Sequence, residues 1–414
     1  MQVFEDLASN IHTAWTRCGR DELAFPEIAQ AMLERFSASA VHPDDVFRWL
    51  VTTDNLPMQF DPRSKFGNFA LTVATRDDFY VELLVWTDST TAIHQHGFSG
   101  AFHVLHGSSL QSLWLFRESR RWSDRLKGGQ LALRTTEYLR TGSTRPIFPR
   151  DEMIHSLFHL ESPSVTVVVR TPSSAIFYPQ LSYERSGLAY DPRIELACTE
   201  KTSQLLRILW TSNHPQRVPL SQAAMSAVDA FSAVRIILSL GYRMGEAQAN
   251  LIEMWKEHDP ELAALLQETV SQVRRDRFII GLRKQTRLPQ HRMLLALVLN
   301  LPDRTAIESA LRQIAPEELP EDWLWNTIRS MHATPSQRSD GKNVLGLSLG
   351  EPSEEALSML LHGHSVDEVS RAFTKPDTQM EEVRVLCSTV AASAVLAPLL
   401  QQPLSLESPN GVGH

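Results

Sequence analysis

The sequence predicts an α+β protein of more than one domain, in which a β-barrel with N-terminal helices is followed by an all-helical part. Between residues 66 and 172, runs rich in β-branched and aromatic residues alternate with turn residues, a pattern typical of a sandwich or barrel. After about residue 200 the apolar residues recur at helical spacing instead. A chain of 414 residues also exceeds what one core usually fills. We therefore expect a domain over 1–190 that contains the barrel, a helical domain over 200–401 and a disordered tail over 402–414.

Three helices are expected before the barrel. Phe4, Leu7, Ile11 and Trp15 recur every three or four residues and form one apolar stripe. A second helix is predicted over residues 25–36, with a proline in its first turn, and a third over 43–50, with two aspartates at its start.

The barrel strands follow from short apolar runs bounded by turn residues. Residues 68–75 and 79–86 are separated by Arg76-Asp77-Asp78 and predict a hairpin. Further strands are expected over 110–116, 131–139 and 165–170. In the second half, helices are expected over 221–240, 247–257, 260–282, 290–300, 304–314, 321–331, 353–362, 366–374 and 380–400.

The segment from Trp86 to Leu110 contains the most informative motif, His94-Gln95-His96. On a strand, residues i and i+2 project to the same side, so the two imidazoles can converge on one metal ion. The best candidate for a third ligand is His155, just before a second apolar strand. His159, His103 and His106 compete for that place. Three imidazoles suit iron, nickel, copper and zinc alike, so the residues alone do not name the metal.

The order of these features resembles the cupin superfamily, and within it the cysteine-dioxygenase-like, three-His thiol dioxygenases. The resemblance covers about residues 40–185 and rests on a strand ending in Trp86, on His94-x-His96-Gly97 and on a lone His155 before a valine-rich strand. Ordinary cupins carry a Glu ligand four or five residues after the second His, where this chain has Gly100 and Ala101. The resemblance therefore implies a cupin barrel, or double-stranded β-helix, in which three histidines hold Fe(II) and leave positions for substrate and O2.

Other positions depart from the thiol dioxygenases. The substrate-binding Arg of that family falls near residues 69–72, where no Arg occurs, and the nearest candidates are Arg63 and Arg76. The family's Ser-His-Tyr set falls on Val168, Arg170 and Pro172. Arg170 is a candidate to bind a substrate carboxylate, because a guanidinium at the end of an apolar strand needs a partner. An internal acid would serve equally well as that partner.

Two further residues are candidates for the surroundings of the site. His159 lies four residues after His155, where the resemblance implies a side chain that supports the ligands rather than a ligand. Tyr178 lies in the segment that leaves the barrel and is a candidate hydrogen-bond donor to the substrate, as is Tyr183. Packing in the core or at an interface is the alternative for both tyrosines.

Composition restricts the remaining possibilities. The net charge of −8 and the pI near 6.0 make nucleic-acid binding unlikely. Three widely separated cysteines, Cys18, Cys198 and Cys387, favour a reducing compartment, and the N-terminal segment lacks the apolar run of a signal peptide. No run of apolar residues is long enough to cross a membrane. We expect a cytoplasmic protein whose helical domain is a candidate for protein contact or oligomerisation.

The resemblance to the thiol dioxygenases implies a non-haem Fe(II), O2-dependent oxygenase that oxidises a small thiol or an amino-acid-derived substrate. One alternative is an iron oxygenase that acts on a non-thiol carboxylate held by Arg170. Another is a non-enzymatic cupin that binds a ligand and signals through its helical domain. The catalytic candidates are Arg170, His159 and Tyr178, and the metal candidates are His94, His96 and His155.

Overall fold

The computed structural model contains eleven strands and fourteen α-helices within the residues that it describes. These are residues 2–36, 41–60, 67–194, 196–241, 244–334, 345, 351–373 and 377–400. The tail expected over 402–414 lies outside the described residues. The order of elements confirms the predicted fold class, in which a β-barrel with N-terminal helices is followed by helices.

The N-terminal helices form because each presents one apolar side to the barrel. They are α1 (Gln2–Arg17), α2 (Phe25–Glu34) and α3 (Pro43–Thr52). Phe4, Leu7, Ile11 and Trp15, the predicted stripe, are all buried on one side of α1. They share a core with alternate residues of the neighbouring sheet, including Leu83, Val167 and Val169. The helices therefore cover one face of that sheet.

The strands are β1 (Phe69–Thr75), β2 (Tyr80–Trp86), β3 (Thr90–His96), β4 (Gly100–His106), β5 (Ser109–Ser123), β6 (Leu126–Leu139), β7 (Thr144–Ile147), β8 (Arg150–His159), β9 (Ser164–Arg170), β10 (Ser182–Tyr183) and β11 (Leu188–Tyr190). They form a five-stranded sheet in the order β1-β2-β9-β4-β7 and a closed barrel in the order β10-β11-β6-β5-β8-β3. Every pairing is antiparallel.

The helices after the strands are α4 (Ala197–Thr211), α5 (Arg217–Ser226), α6 (Ala230–Leu240), α7 (Gly245–Lys256), α8 (Pro260–Arg283), α9 (Pro289–Asn300), α10 (Arg304–Ile314), α11 (Pro320–His332), α12 (Glu351–Leu361), α13 (Val366–Ala372) and α14 (Asp377–Ala392). The prediction of one helix over 221–240 was wrong, because the chain breaks between α5 and α6. The Asp229 carboxylate accepts a hydrogen bond from the Ser232 amide and caps the start of α6.

The chain divides into two compact units, Met1–Arg274 and Arg275–His414, and the division falls within α8. In the first unit, α4 to α8 form one core with Leu126 and Leu188 of the barrel strands. The change from strands to helices near residue 200 therefore does not coincide with the division into compact units. None of the described helices is both long and apolar enough to cross a membrane.

The second unit is built around α9. Residues 291–300 of this helix are all buried, so it is surrounded by other helices. Arg304, also buried, donates hydrogen bonds from its Nη atoms to the carbonyl oxygens of Leu399 (2.9 Å) and Leu361, and its Nε atom contacts Glu308 at 2.6 Å. Arg304 thus satisfies backbone groups at the ends of two later segments.

Candidate metal centre

Three histidines converge inside the barrel domain. His94 and His96 project from β3 and His155 from β8, and His94 lies opposite His155 in the ladder between these strands. Each ring offers a nitrogen, and these atoms lie within 4.8 Å of one another. Among the residues that the structure describes, this is the one group of His, Cys, Asp and Glu side chains arranged to hold a metal ion.

The hydrogen bonding of the three rings fits a metal. His94 Nδ1 lies 2.8 Å from the carbonyl oxygen of Ala92, so Nδ1 carries the proton and Nε2 keeps its lone pair. The Nδ1 atoms of His96 and His155 are buried and have no hydrogen-bond partner among the described residues. Buried polar nitrogens without partners are costly, and coordination of a metal would use the free lone pairs of these rings.

The electrostatics also favour the metal-binding form of the rings. Burial lowers the pKa of His94, and it lowers the pKa values of His96 and His155 well below 6.5. The neighbouring histidines and the positive charges of Arg170 and Arg193 lower the pKa of His96 further. All three imidazoles are therefore neutral at pH 7, which is the state that binds metal ions.

A cavity of about 40 Å³ lies between the two sheets beside these histidines. A water molecule needs about 10–15 Å³ of such a cavity, so this one has room for roughly three. The part of a ligand that enters beside the histidines must therefore be small. Most of its wall is apolar, with Leu84, Trp86, Phe98, Phe102, Ile147, Leu157 and Val168 among its residues. The polar side chains that line the cavity besides the three histidines are Glu82, Thr91, His159, Thr166 and Arg170.

Arg170 lies at the cavity and is held on several sides. Its Nε atom is 3.1 Å from Oε2 of Glu82, a buried residue of β2. Its guanidinium carbon lies 5.0 Å from the ring centre of Tyr80 and 4.7 Å from that of Phe98. An internal acid is thus one partner of Arg170, and two aromatic rings fix its orientation by cation–π contacts.

His159 lines the cavity outside the metal cluster. Its Nδ1 atom is 2.9 Å from the Ser109 hydroxyl and 3.0 Å from the Ser164 hydroxyl, and its ring stacks on Trp86 with 4.4 Å between ring centres. Trp86 in turn donates from Nε1 to the Thr166 hydroxyl at 3.1 Å. His159 therefore stabilises the wall next to the cluster.

The structure separates the other candidates from the cavity. His103 is buried but bonds to the Thr144 hydroxyl at 2.8 Å, and His106 is exposed. Tyr178 is 47% exposed and does not line the cavity. Tyr183 is buried away from it, where its hydroxyl donates to Gln95. Arg76 forms an ion pair with Glu5 at 3.0 Å.

One of the two candidate arginines in this region, Arg63, lies outside the described residues. At the position expected for a Glu ligand, a side chain on Gly100 would meet the carbonyl oxygen of Val169, since a Cβ atom there would lie 2.2 Å from it. The close approach of β9 thus leaves no room at residue 100 for a carboxylate.

Sequence reasoning missed Glu82. It is the one carboxylate that lines the cavity among the described residues, and a single charged residue within the apolar run Tyr80–Trp86 was the available signal. A carboxylate in a strand buried along its whole length needs a partner inside the protein. Arg193, an exposed residue whose charge acts on His94 and His96, was also missed.

No model of a known protein family matches the sequence, and no curated protein has a significant sequence match. The solved structures similar to this chain include cupin-domain proteins, a dioxygenase and a lyase. A cupin-2 domain protein from Shewanella frigidimarina is 13% identical, with 32% of this chain and 94% of that chain covered and a TM-score of 0.20. Hydroquinone 1,2-dioxygenase from Sphingomonas sp. TTNP3 is 11% identical, with 26% of this chain and 68% of that chain covered and a TM-score of 0.21.

A DMSP lyase from Ruegeria pomeroyi is 12% identical, with 43% of this chain and 95% of that chain covered and a TM-score of 0.24. These TM-scores are too low for any of the likenesses to support an inference about the activity of this chain.

Proposed function

We propose that this protein is a non-haem Fe(II), O2-dependent oxygenase whose iron is held by His94, His96 and His155. The observation that carries the proposal is the convergence of three neutral, buried imidazoles at a small cavity. Three protein ligands leave coordination positions open for reactants, as catalysis requires. The resemblance to three-His thiol dioxygenases supports iron as the metal.

The chain's own residues would bind and orient the reactants. Fe(II) held by His94, His96 and His155 would supply a redox-active Lewis acid. The apolar wall excludes water from the reacting groups and strengthens electrostatic interactions within the cavity. His159, held by two serine hydroxyls, keeps the Trp86 side of the wall in place.

Arg170 is the residue that we propose to bind the substrate. Glu82 contacts its Nε side, and the two aromatic rings restrict its plane, so the guanidinium is already oriented before a ligand arrives. The positive charges of Arg170 and Arg193 act at the cavity and favour an anion there. A small thiol that also carries a carboxylate fits these properties.

In the favoured version of the reaction, one thiol and one O2 molecule give one sulfinic acid, so that both oxygen atoms end on sulfur. The second candidate is oxygenation of a small carboxylate without a thiol, which the position of Arg170 at the cavity favours equally. Of the two other catalytic candidates, His159 lines the cavity and keeps a role in the proposed site. Tyr178 is exposed in the segment after β9 and does not line the cavity, so we assign it no role in the proposed reaction.

Oxygen consumption by the iron-loaded protein tests the proposal. We would load the protein anaerobically and record O2 uptake with 3-mercaptopropionate, cysteine and cysteamine, and with propionate as the matched non-thiol. Thiol-dependent uptake with a sulfinate product supports the thiol version, and uptake with non-thiol carboxylates alone supports the second. Iron binding without O2 consumption by any compound would leave the ligand-binding sensor as the better account.

Two further proposals concern the cell compartment of the protein and its contacts with other protein chains. All three cysteines are free, and we propose a reducing, cytoplasmic compartment on that basis. We also propose that the helical part mediates protein contact or oligomerisation, because several large apolar side chains of its helices are exposed, among them Ile208, Phe278 and Val385.

A further inference from the structure

Gln95 lies between the two candidate ligands of β3 and projects away from them. Neighbouring residues of a strand point to opposite sides, and Gln95 is absent from the cavity wall that His94 and His96 line. Its side chain is buried and fully engaged. Nε2 donates to the carbonyl oxygen of Pro179 at 2.8 Å, and Oε1 accepts a hydrogen bond from the Tyr183 hydroxyl.

Tyr183 and the Pro179 carbonyl together determine which way the Gln95 side-chain amide points. The Tyr183 ring is buried and packs edge-on against Phe116, with 5.0 Å between ring centres. Burial raises the pKa of Tyr183, so its hydroxyl stays protonated and acts as a donor at neutral pH. The Pro179 carbonyl oxygen can only accept, so Nε2 must face it, and Oε1 is left to accept from the Tyr183 hydroxyl.

The segment that supplies these partners runs along the edge of β3 that faces away from β8. The backbone amide of Gln95 donates to the carbonyl oxygen of Leu181 at 3.1 Å, and the backbone amide of Gly97 donates to Oε1 of Gln180 at 3.2 Å. Ser182 pairs with His94 as the one residue of β10 that reaches β3. Residues 179–183 therefore fix the part of β3 that carries both histidines.

The opposite edge of β3 pairs with β8 at both histidines, as His94 with His155 and His96 with Arg150, but this pairing is irregular. The ladder between β3 and β8 is irregular between Thr91 and His94 and again between His94 and His96. Regular pairing is what normally fixes the direction of each side chain along a strand. The contacts of Gln95 on the other edge compensate for this irregularity at the two ligand positions.

We propose that Gln95, fixed by Tyr183 and Pro179, is a positioning residue that sets the orientation of His94 and His96 and thereby the affinity for the metal. The inference depends on the metal site proposed above. Residues that orient metal ligands without touching the metal typically change its affinity by about 10- to 100-fold when they are replaced.

The test uses Gln95→Leu, which removes both side-chain hydrogen bonds, and Tyr183→Phe, which removes one. The full-length variants are titrated with Zn²⁺ against a competing chelator, and the absorption spectrum of bound Co²⁺ reports the ligand geometry. We expect Gln95→Leu to weaken Zn²⁺ binding about 10- to 100-fold and to change the Co²⁺ spectrum. Tyr183→Phe should also weaken Zn²⁺ binding and change the Co²⁺ spectrum, but less than Gln95→Leu does.

Matched controls separate positioning from general destabilisation. Gln248→Leu removes a buried glutamine of α7 whose Nε2 donates to the Ile237 carbonyl at 3.0 Å, and Tyr190→Phe removes the hydroxyl of another tyrosine in the same unit. Both controls should bind Zn²⁺ like the wild-type protein, although Gln248→Leu should lower the melting temperature of the metal-free protein.

Wild-type affinity and spectrum in both test variants would overturn the positioning role while leaving the metal site intact. If the wild-type protein itself binds neither ion, the proposed metal site fails and this inference fails with it. If Gln95→Leu does not fold, the affinity of Tyr183→Phe relative to Tyr190→Phe decides the question.

Discussion

The neutrality of the three histidines follows from their burial. His96 and His155 are both buried, so a positive charge on either ring would lose most of its solvation, and each would repel the other and His94. A divalent ion can bind there because the imidazoles do not have to lose a proton first. Burial in the barrel thus keeps the three imidazoles in the neutral form that coordinates a metal ion.

This burial makes the stability of the metal-free protein depend on pH. The folded pKa values of His96 and His155 lie below the unfolded value of 6.5, so the unfolded chain takes up protons first as the pH falls. Stability should be constant above about pH 7 and should fall below about pH 6.5, by up to about 1.4 kcal/mol per pH unit for each histidine. Urea unfolding of the wild-type protein and His96→Gln at several pH values measures this.

The slope should be smaller in His96→Gln and unchanged in His214→Gln, which replaces an exposed histidine. Equal slopes in all three proteins would contradict the pKa argument.

Arg170 makes a second prediction at this scale. Replacement by Met should weaken binding of a carboxylate substrate about 10- to 100-fold, the usual loss for a charge-assisted hydrogen bond, while the iron content stays unchanged. The variant should also be less stable, because it leaves the buried Glu82 without this partner. Steady-state kinetics, metal analysis and thermal melting separate these effects.

Arg145→Met is the matched control, since Arg145 forms an ion pair with Glu137 on a more exposed part of the sheet. Unchanged substrate affinity in Arg170→Met would remove this residue from the binding site.

The sequence predicts the direction and partners of some site residues but not of others. The spacing of His94 and His96 determines their common direction once β3 is recognised as a strand. His155 and His159 lie four apart on β8 and so share a direction, and only the pairing of His94 with His155 shows which one joins the cluster. The partner of Arg170 was left open because Glu82 is 88 residues away in sequence and adjacent only through the β2–β9 pairing.

Elements were predictable where the local pattern is strong. The strands of the hairpin β1–β2 and the helices α7 to α11 begin and end within a few residues of the expected positions. The missed break between α5 and α6 contains neither Gly nor Pro, and its signal is the capping residue Asp229. A helix start that is defined by one side chain is hard to recognise within a continuous apolar stripe.

The cap itself is testable. Asp229→Ala should lower the free energy of unfolding by about 1 kcal/mol, because the Ser232 amide loses its acceptor at the start of α6. Asp229→Asn should be close to the wild-type value, since Asn caps helices about as well as Asp. Chemical denaturation of the three proteins measures the difference, and equal stability of Ala and Asn variants would exclude a capping role.

The sequence predicts the fold class of the molecule better than it predicts how its helices and strands are divided into compact units. Changes in local pattern show where strands give way to helices, but they do not show that α4 to α8 pack on the barrel. That packing depends on contacts between distant residues, such as Leu126 with the core of these helices. The compact unit accordingly extends to Arg274 rather than to the end of the strands.

Truncation tests this organisation. A fragment of residues 1–274 should fold and keep the metal site, whereas a fragment of residues 1–190 should aggregate or melt at a lower temperature. The shorter fragment exposes Leu126 and Leu188, which are fully buried in the intact protein. Gel filtration and thermal melting compare the two, and a monomeric, equally stable 1–190 fragment would support a domain boundary near residue 190 instead.

The central claim is that His94, His96 and His155 form one metal centre, and anaerobic metal analysis tests it most directly. The wild-type protein should bind one Fe(II) per chain, and each single change of these histidines to Ala should reduce this to a small fraction. His103→Ala, which replaces a buried histidine outside the cluster, should keep the iron. Full iron content in the His155→Ala variant, or no iron in the wild-type protein, would contradict the account.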